Sequence, residues 1–248
     1  MKKDEVKHVV KEFYDNIARG KCCSTGCNCS PGIDNGLIAE SLGYSKDDIS
    51  SVVDANLGLG CGNPTAMSSI KYGDVVLDLG SGAGFDCFLA SKKVGNIGKV
   101  IGVDISELML SRAKKNAIKY GYTNVEFKLG DIDSLPIVDS SIDVVISNCV
   151  INLAPDKDKV FREIYRVLKT GGKAFVSDIV LLKELTEEQR NDPELVAGCV
   201  GGALLKADYI QSIEKSGLKT KILSEDTEIS KRQYYGKALE SLKIEATK

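Results

Sequence analysis

The chain has 248 residues, with 33 Lys and Arg against 35 Asp and Glu, a formal net charge of −2. That length allows one large domain or two small ones, and the near-neutral balance offers no broad positive field for a nucleic-acid backbone. Hydrophobic residues are 43% and charged residues 27%, an ordinary globular mix without the apolar run of ~18 residues that a spanning helix needs, so neither nucleic acid nor membrane is expected as a partner.

Eight cysteines stand beside a single histidine, His8. Histidine acid/base chemistry and a His-rich metal site have little to work with, which leaves sulfur chemistry. The opening MKKDEVKHVVKEFYDNIARG is broken by Asp4, Glu5, Lys7, Lys11 and Glu12 where a secretory leader needs an uninterrupted apolar stretch. A cytoplasmic location follows as the expectation, where cysteines persist as thiols, ligands or catalytic groups.

Val6, Val9, Val10, Phe13 and Ile17 recur at helical spacing and predict an amphipathic helix ending near Gly20. His8 sits among its solvated charges. Cys22, Cys23, Cys27 and Cys29 then cluster in KCCSTGCNCS. Their spacing lacks two C-x2-C hairpins, so a zinc knuckle fits less well than redox exchange or a mobile thiol tail. Ser45 and Asp48 form a capping box for a short helix with Ile49, Val52 and Val53 on one face, followed by a Gly-rich loop that contains Cys61.

From residue 70 the pattern alternates strand and helix: DVVLDLG, a helix near 84 to 94, KVIGVDI, a helix near 107 to 120, NVEFKLG, then IDVVIS, VFREIYRVLK and KAFVSDIV. Repeated βαβ units predict a parallel sheet buried on both faces. A looser crossover with Pro193, Cys199, Gly201 and Gly202 leads to a helix near 207 to 216, a strand at LKTKIL and a last strand in SLKIEAT. Residues 1–69 read as an N-terminal helical and Cys-rich extension, and 70–248 as one domain.

The strongest local signal is VVLDLGSGAGFD, residues 75 to 86, with Gly80, Gly82 and Gly84 between a β-branched strand and a helix. Such a turn lets the backbone approach a ligand closely. A dinucleotide fingerprint would put its third glycine at 85, where Phe85 stands. Asp104 ends the second strand, where a carboxylate can accept ribose hydroxyls, and Asp131 ends the third in the same way.

The D-x-G-x-G-x-G run from Asp78 to Gly84, GVDIS after the second strand and GDID after the third resemble class I S-adenosylmethionine methyltransferases. GCGNP at 60–64, SNCVINL at 147–153, FREIYRVLKTGG and PELVAGCVGGAL at 193–204 are similar to the arsenite methyltransferases among them. The resemblance implies a Rossmann-like α/β fold with a mostly parallel seven-stranded sheet and helices on both faces. It implies S-adenosylmethionine as cofactor, with Gly80, Ser81 and Gly82 at the methionine portion, Asp104 at the ribose, Ile105, Asp131 and Ile132 beside the adenine, and Asp78 and Gly84 also among the cofactor-binding residues. Asn148 would face the sulfonium. Leu59 stands where some relatives have Tyr, so an aromatic wall over the cofactor would have to come from Tyr14 or another residue.

The same resemblance points to Cys61, Cys149 and Cys199 as the thiolates that capture As(III), in a crossover near 180–206 and the loops facing it. The residues carry a separate case for a site, since ligands of parallel α/β sheets bind beyond the carboxyl ends of the strands and Cys149 directly follows one. Cys87, inside a helix, reads as a buried small hydrophobe. Arsenite and methylarsenite are then the expected substrates, with an external thiol reductant of thioredoxin or glutathione type. Cys61 would pair with a member of the N-terminal cluster during reduction, and which member is open. The chain is expected to act as a monomer. A methyltransferase of a quinone or sterol carbon, and a non-enzymatic thiol-rich metal binder, are the alternatives.

Overall fold

The computed structural model describes residues 1–20 and 34–248; the four clustered cysteines, Cys22, Cys23, Cys27 and Cys29, lie outside the described residues. Helix α1 (Lys3–Ala18) buries Val10 and Ile17 on its apolar stripe, while His8 stays exposed beside Glu12. Helices α2 (Asn35–Ser41) and α3 (Lys46–Ser51) follow. The Ser45–Asp48 capping box forms as expected, but α3 stops at Ser51, so Val52 is buried and Val53 turns out to solvent. The expected shared face is therefore lost to a short 3-10 turn at Val53–Ala55. Asn63 caps α4 (Pro64–Met67) by accepting from the Ala66 amide at 2.9 Å, with Pro64 in the first turn, where its missing N–H costs nothing.

The alternating units come next: β1 (Val75–Leu79), α5 (Phe85–Val94), β2 (Lys99–Asp104), α6 (Glu107–Tyr120), β3 (Val125–Leu129), β4 (Ile142–Asn148), α7 (Lys157–Val167) and β5 (Leu168–Leu181). Short helices α8 (Glu187–Arg190) and α9 (Pro193–Ala197) occupy the crossover, before α10 (Lys206–Lys215), β6 (Lys219–Asp226), α11 (Ile229–Gln233) and β7 (Leu239–Thr247). The strands form one seven-stranded sheet in the order β3-β2-β1-β4-β5-β7-β6. Strands β1 to β5 pair in parallel, and β7 runs antiparallel between β5 and β6.

Period-two alternation sorts the strand side chains onto two faces. Val76, Val100, Val144 and Phe175 join one core with Phe88 of α5, and Leu77, Ile101, Val145 and Val176 join the other with Phe161 of α7 and Tyr209 of α10. Burial on both faces explains why these strands read as nearly continuous apolar runs. The strand order reverses at β1, whose neighbours are β2 and β4, which opens a crevice beyond the carboxyl ends of β1 and β4.

Candidate active site

A cavity of about 630 Å³ fills that crevice. Gly80 and Gly82 line it with φ of 64° and 51°, values that favour glycine. A Cβ on Gly80 would come within 2.3 Å of Val150, whereas one on Gly82 would meet nothing within 4 Å, so Gly82 faces open space. Gly84 is absent from the lining; it opens α5 and a Cβ there would press on Phe88 at 2.8 Å and Phe127 at 3.0 Å. Its role is close packing of helix on sheet.

Asp104 ends β2 against the same cavity, accepting from the Gly82 amide at 2.9 Å and the Ser106 amide at 2.8 Å. Burial raises its carboxyl above the ordinary range. Ile105 and Ile132 also line the cavity. Asp131 does not; its carboxylate is drawn to Lys7 of α1, with Nζ at 2.6 Å. Ser81 lines the cavity with a buried hydroxyl that has no partner. Asp78 and Asp86 are buried along the same wall, and burial followed by the charge of Asp86 raises Asp78. Cys87 is fully buried as expected, its thiol donating to Asp78 at 3.1 Å.

Asn148, the last residue of β4, ties this half to the sulfur half. Its amide nitrogen donates to Tyr44 at 3.0 Å, to the Gly62 carbonyl at 2.9 Å and to Asp86 at 3.3 Å, and its oxygen accepts from the Cys61 amide at 3.1 Å. Cys149 follows with a left-handed φ of 57°, and Cys199, after α9, has φ 66°. Non-glycine residues take that region at a cost that persists where surrounding structure enforces it, characteristically at functional sites.

The three scattered cysteines proposed from the sequence come together. Cys149 and Cys199 line the cavity, while Cys61 lies just behind it with its sulfur 3.4 Å from the Ser177 carbonyl. The sulfurs of Cys61 and Cys149 and a carboxylate oxygen of Asp178 lie within 4.8 Å of one another. The Cys199 thiol donates to the Cys149 carbonyl at 2.8 Å. The neighbouring Cys199 and Cys61 thiols hold the Cys149 thiol well below the usual range. Cys199 is pushed up by its bond to Cys149 and by burial, and Cys61 by burial and then by Cys149. Of the three, Cys149 is therefore the thiol most readily ionised, and a thiolate is both nucleophile and soft ligand.

A model of the methyltransferase domain matches residues 70–226. The arsenite methyltransferase of Halobacterium salinarum is 45% identical over 226 residues, 87% of this chain and 58% of that protein. That of Mus musculus is 36% identical over 229 residues, 86% of this chain and 58% of that one. The crystal structure of an arsenic(III) S-adenosylmethionine methyltransferase from Chlamydomonas reinhardtii superposes with a TM-score of 0.67 at 33% identity, covering 88% of this chain and 75% of that one.

The chain belongs to the arsenite methyltransferase family.

The chain spans a little over half the length of the curated relatives, 58% of each of the two named here. The arsenite methyltransferase cofactor, S-adenosylmethionine, suits the cavity: the open side of Gly82, the unpartnered Ser81 hydroxyl and the buried Asp104 form a cradle for a polar, elongated ligand. With Leu59 at the rim, aromatic rings come from Phe13 and Tyr14 of α1, from Phe85, and from Tyr234 and Tyr235 after α11.

Sequence reasoning missed Asp178 and Tyr234. Asp178 is fully buried in β5 and accepts from the Asn152 amide group at 2.9 Å and from Tyr209 at 2.9 Å. Burial, then the charge of Cys149, pushes it up to about 8. A charged residue inside the apolar run AFVSDIV was the available signal. Tyr234 brings its hydroxyl to 3.8 Å from the Cys149 sulfur, and nothing in its local sequence announces that contact.

Proposed function

We propose that this chain methylates trivalent arsenic held by thiolates, taking the methyl group from S-adenosylmethionine, with arsenite and methylarsenite as substrates. The observation that carries the reading is the convergence of Cys61, Cys149 and Cys199 at one end of the cavity whose other end is the glycine cradle. A quinone or sterol acceptor would give those three thiols nothing to do.

Capture follows from the electrostatics. The Cys149 thiolate attacks arsenous acid first, and hydroxide leaves to take a proton from solvent. Cys61 and Cys199, still protonated, then each exchange for a hydroxyl, their protons departing with it as water. The result is a neutral arsenic trithiolate whose lone pair points away from the sulfurs. Bound S-adenosylmethionine supplies an electrophilic methyl group on a sulfonium. Asp78, Gly80, Ser81, Gly82, Asp104, Ile105, Ile132 and Asn148 would hold it. The methyl-accepting atom carries no proton, so no side chain has to act as base, and a chain with one exposed histidine suffices. The protein contributes orientation, worth up to roughly 7 to 11 kcal/mol when reacting atoms are held in near-attack geometry.

Pentavalent product must regain two electrons before a further round. Two thiols supply them by forming a disulfide, which an external dithiol or glutathione-type reductant resets. We assign this to Cys61 with one of Cys22, Cys23, Cys27 or Cys29, which makes the extension 1–69 a partner of the domain 70–248 in substrate handling. The reducing cytoplasm suits that cycle, with the chain working as a monomer.

Incubation with arsenite, S-adenosylmethionine and a thiol reductant, followed by arsenic speciation, tests the proposal. Methylated arsenicals with matching S-adenosylhomocysteine are expected. Arsenite bound while the cofactor is untouched would mark a thiol-rich binder instead.

A further inference from the structure

The connection between β6 and β7 forms a wall of the sulfur end. Helix α11 is anchored by Ile229 and Ser230, both buried. Ser230 also fastens the turn that follows: its carbonyl accepts from the amides of Tyr234 and Gly236, each at 3.0 Å, and its hydroxyl donates to the Lys237 carbonyl. Within that turn Tyr235 takes a left-handed φ of 53° and leaves its ring exposed. Tyr234 lines the cavity, its hydroxyl 3.8 Å from the Cys149 sulfur. Burial and then negative charge at the Cys149 sulfur push its hydroxyl well above the ordinary phenol range. Once the Cys149 sulfur has exchanged its proton for arsenic, the tyrosine hydroxyl is the donor of this contact and the sulfur the acceptor. Gln233 lines the same cavity with a buried amide nitrogen that has no partner, an unspent donor facing a polar ligand.

We infer that Tyr234 is a positioning residue for arsenic capture: its hydroxyl hydrogen bond fixes the direction in which the Cys149 sulfur meets a trivalent arsenical. The inference rests on the arsenite reading above. Sulfur on Cβ has three staggered orientations, and the Cys149 carbonyl is already occupied by the Cys199 thiol, so side-chain donors decide which orientation the sulfur keeps. Tyr234 reaches it from a turn that Ser230 holds in place, while Cys61 and Cys199 lose the S–H protons with which they could donate when they bind arsenic themselves. Tyr234 is the donor that persists through capture.

The test reads arsenic at Cys149 itself, in the full chain saturated with S-adenosylhomocysteine. The arsenite concentration that half-protects Cys149 from iodoacetamide is measured by peptide mass spectrometry. Tyr234→Phe keeps the ring and removes the hydroxyl; the expected result is an increase of about tenfold in that concentration, the worth of one hydrogen bond to a charged group. Affinity for S-adenosylhomocysteine and the melting temperature stay at the wild-type values, and the KM for arsenite rises while that for S-adenosylmethionine does not. Wild-type protection in Tyr234→Phe would overturn the inference, as would an equal loss of cofactor affinity, which indicates packing alone. Failure of arsenite to protect Cys149 in the wild-type chain would instead overturn the arsenite reading itself.

Discussion

The Cys199 thiol donates to the main-chain carbonyl of Cys149 at 2.8 Å, and both residues sit in left-handed backbone. Residues 50 positions apart in the chain are thereby locked face to face, one at the exit of β4 and the other in the crossover after β5. The glycine turn and two of the three sulfurs consequently line one cavity, and each end can be perturbed separately.

Cys149→Ser should abolish methylation of arsenite and methylarsenite alike, a loss beyond ~100-fold, because an alcohol is a poor soft-metal ligand. S-adenosylhomocysteine should still bind with wild-type affinity, as measured by calorimetry. Retained turnover would remove Cys149 from the mechanism.

Cys61 lies behind the cavity wall, so its contribution differs. Cys61→Ser should lose activity on arsenite yet keep it on methylarsenite, which has one exchangeable ligand fewer and can be held by Cys149 and Cys199. Speciation of products from each substrate checks this, and equal loss on both would contradict the division.

Reactivity should follow the thiol electrostatics. Between about pH 7 and 9, where an ordinary thiol ionises, iodoacetamide should modify Cys149 first and at a nearly constant rate, since its thiol lies well below the usual range. Modification of Cys61 and Cys199, both raised, should be slower and should accelerate with pH. Peptide mass spectrometry at several pH values resolves the three sites.

How much of this was legible in the sequence depends on the range of the interaction. The βαβ order, the glycine turn and the Ser45–Asp48 cap are set within a few residues and could be read directly. Val53 was misassigned because two turns of helix and one turn followed by a 3-10 segment share the same local spacing. Asp131 looked like a second strand-end acceptor, but Lys7, 124 positions earlier in the chain, claims its carboxylate. Asp178 and Tyr234 reach the thiols only once β5 and β7 pair, Ser177 opposite Lys243 and Leu181 opposite Leu239. No short-range pattern encodes that register.

Asp104→Ala should weaken S-adenosylhomocysteine binding by about 1.5 to 3 kcal/mol, the worth of charge-assisted hydrogen bonds, roughly 10- to 150-fold. Calorimetry would show it, and an unchanged dissociation constant would mean that the ribose lies elsewhere.

Gly62 packs against β5 so closely that a Cβ there would lie 2.0 Å from the Ser177 hydroxyl. Gly62→Ala should cost about 1 to 3 kcal/mol of stability by overpacking and displace Cys61 next to it. Thermal unfolding checks the first part, and Ser177→Gly in the same chain should recover most of the loss.

The central claim is that Cys61, Cys149 and Cys199 together hold the arsenic that accepts the methyl group. A crystal of the S-adenosylhomocysteine complex soaked in arsenite, with arsenic located by anomalous scattering, addresses it directly. The expected result is one arsenic within bonding distance of those three sulfurs at the end of the cavity. Arsenic bound only at Cys22, Cys23, Cys27 or Cys29, with the three sulfurs bare, would contradict it.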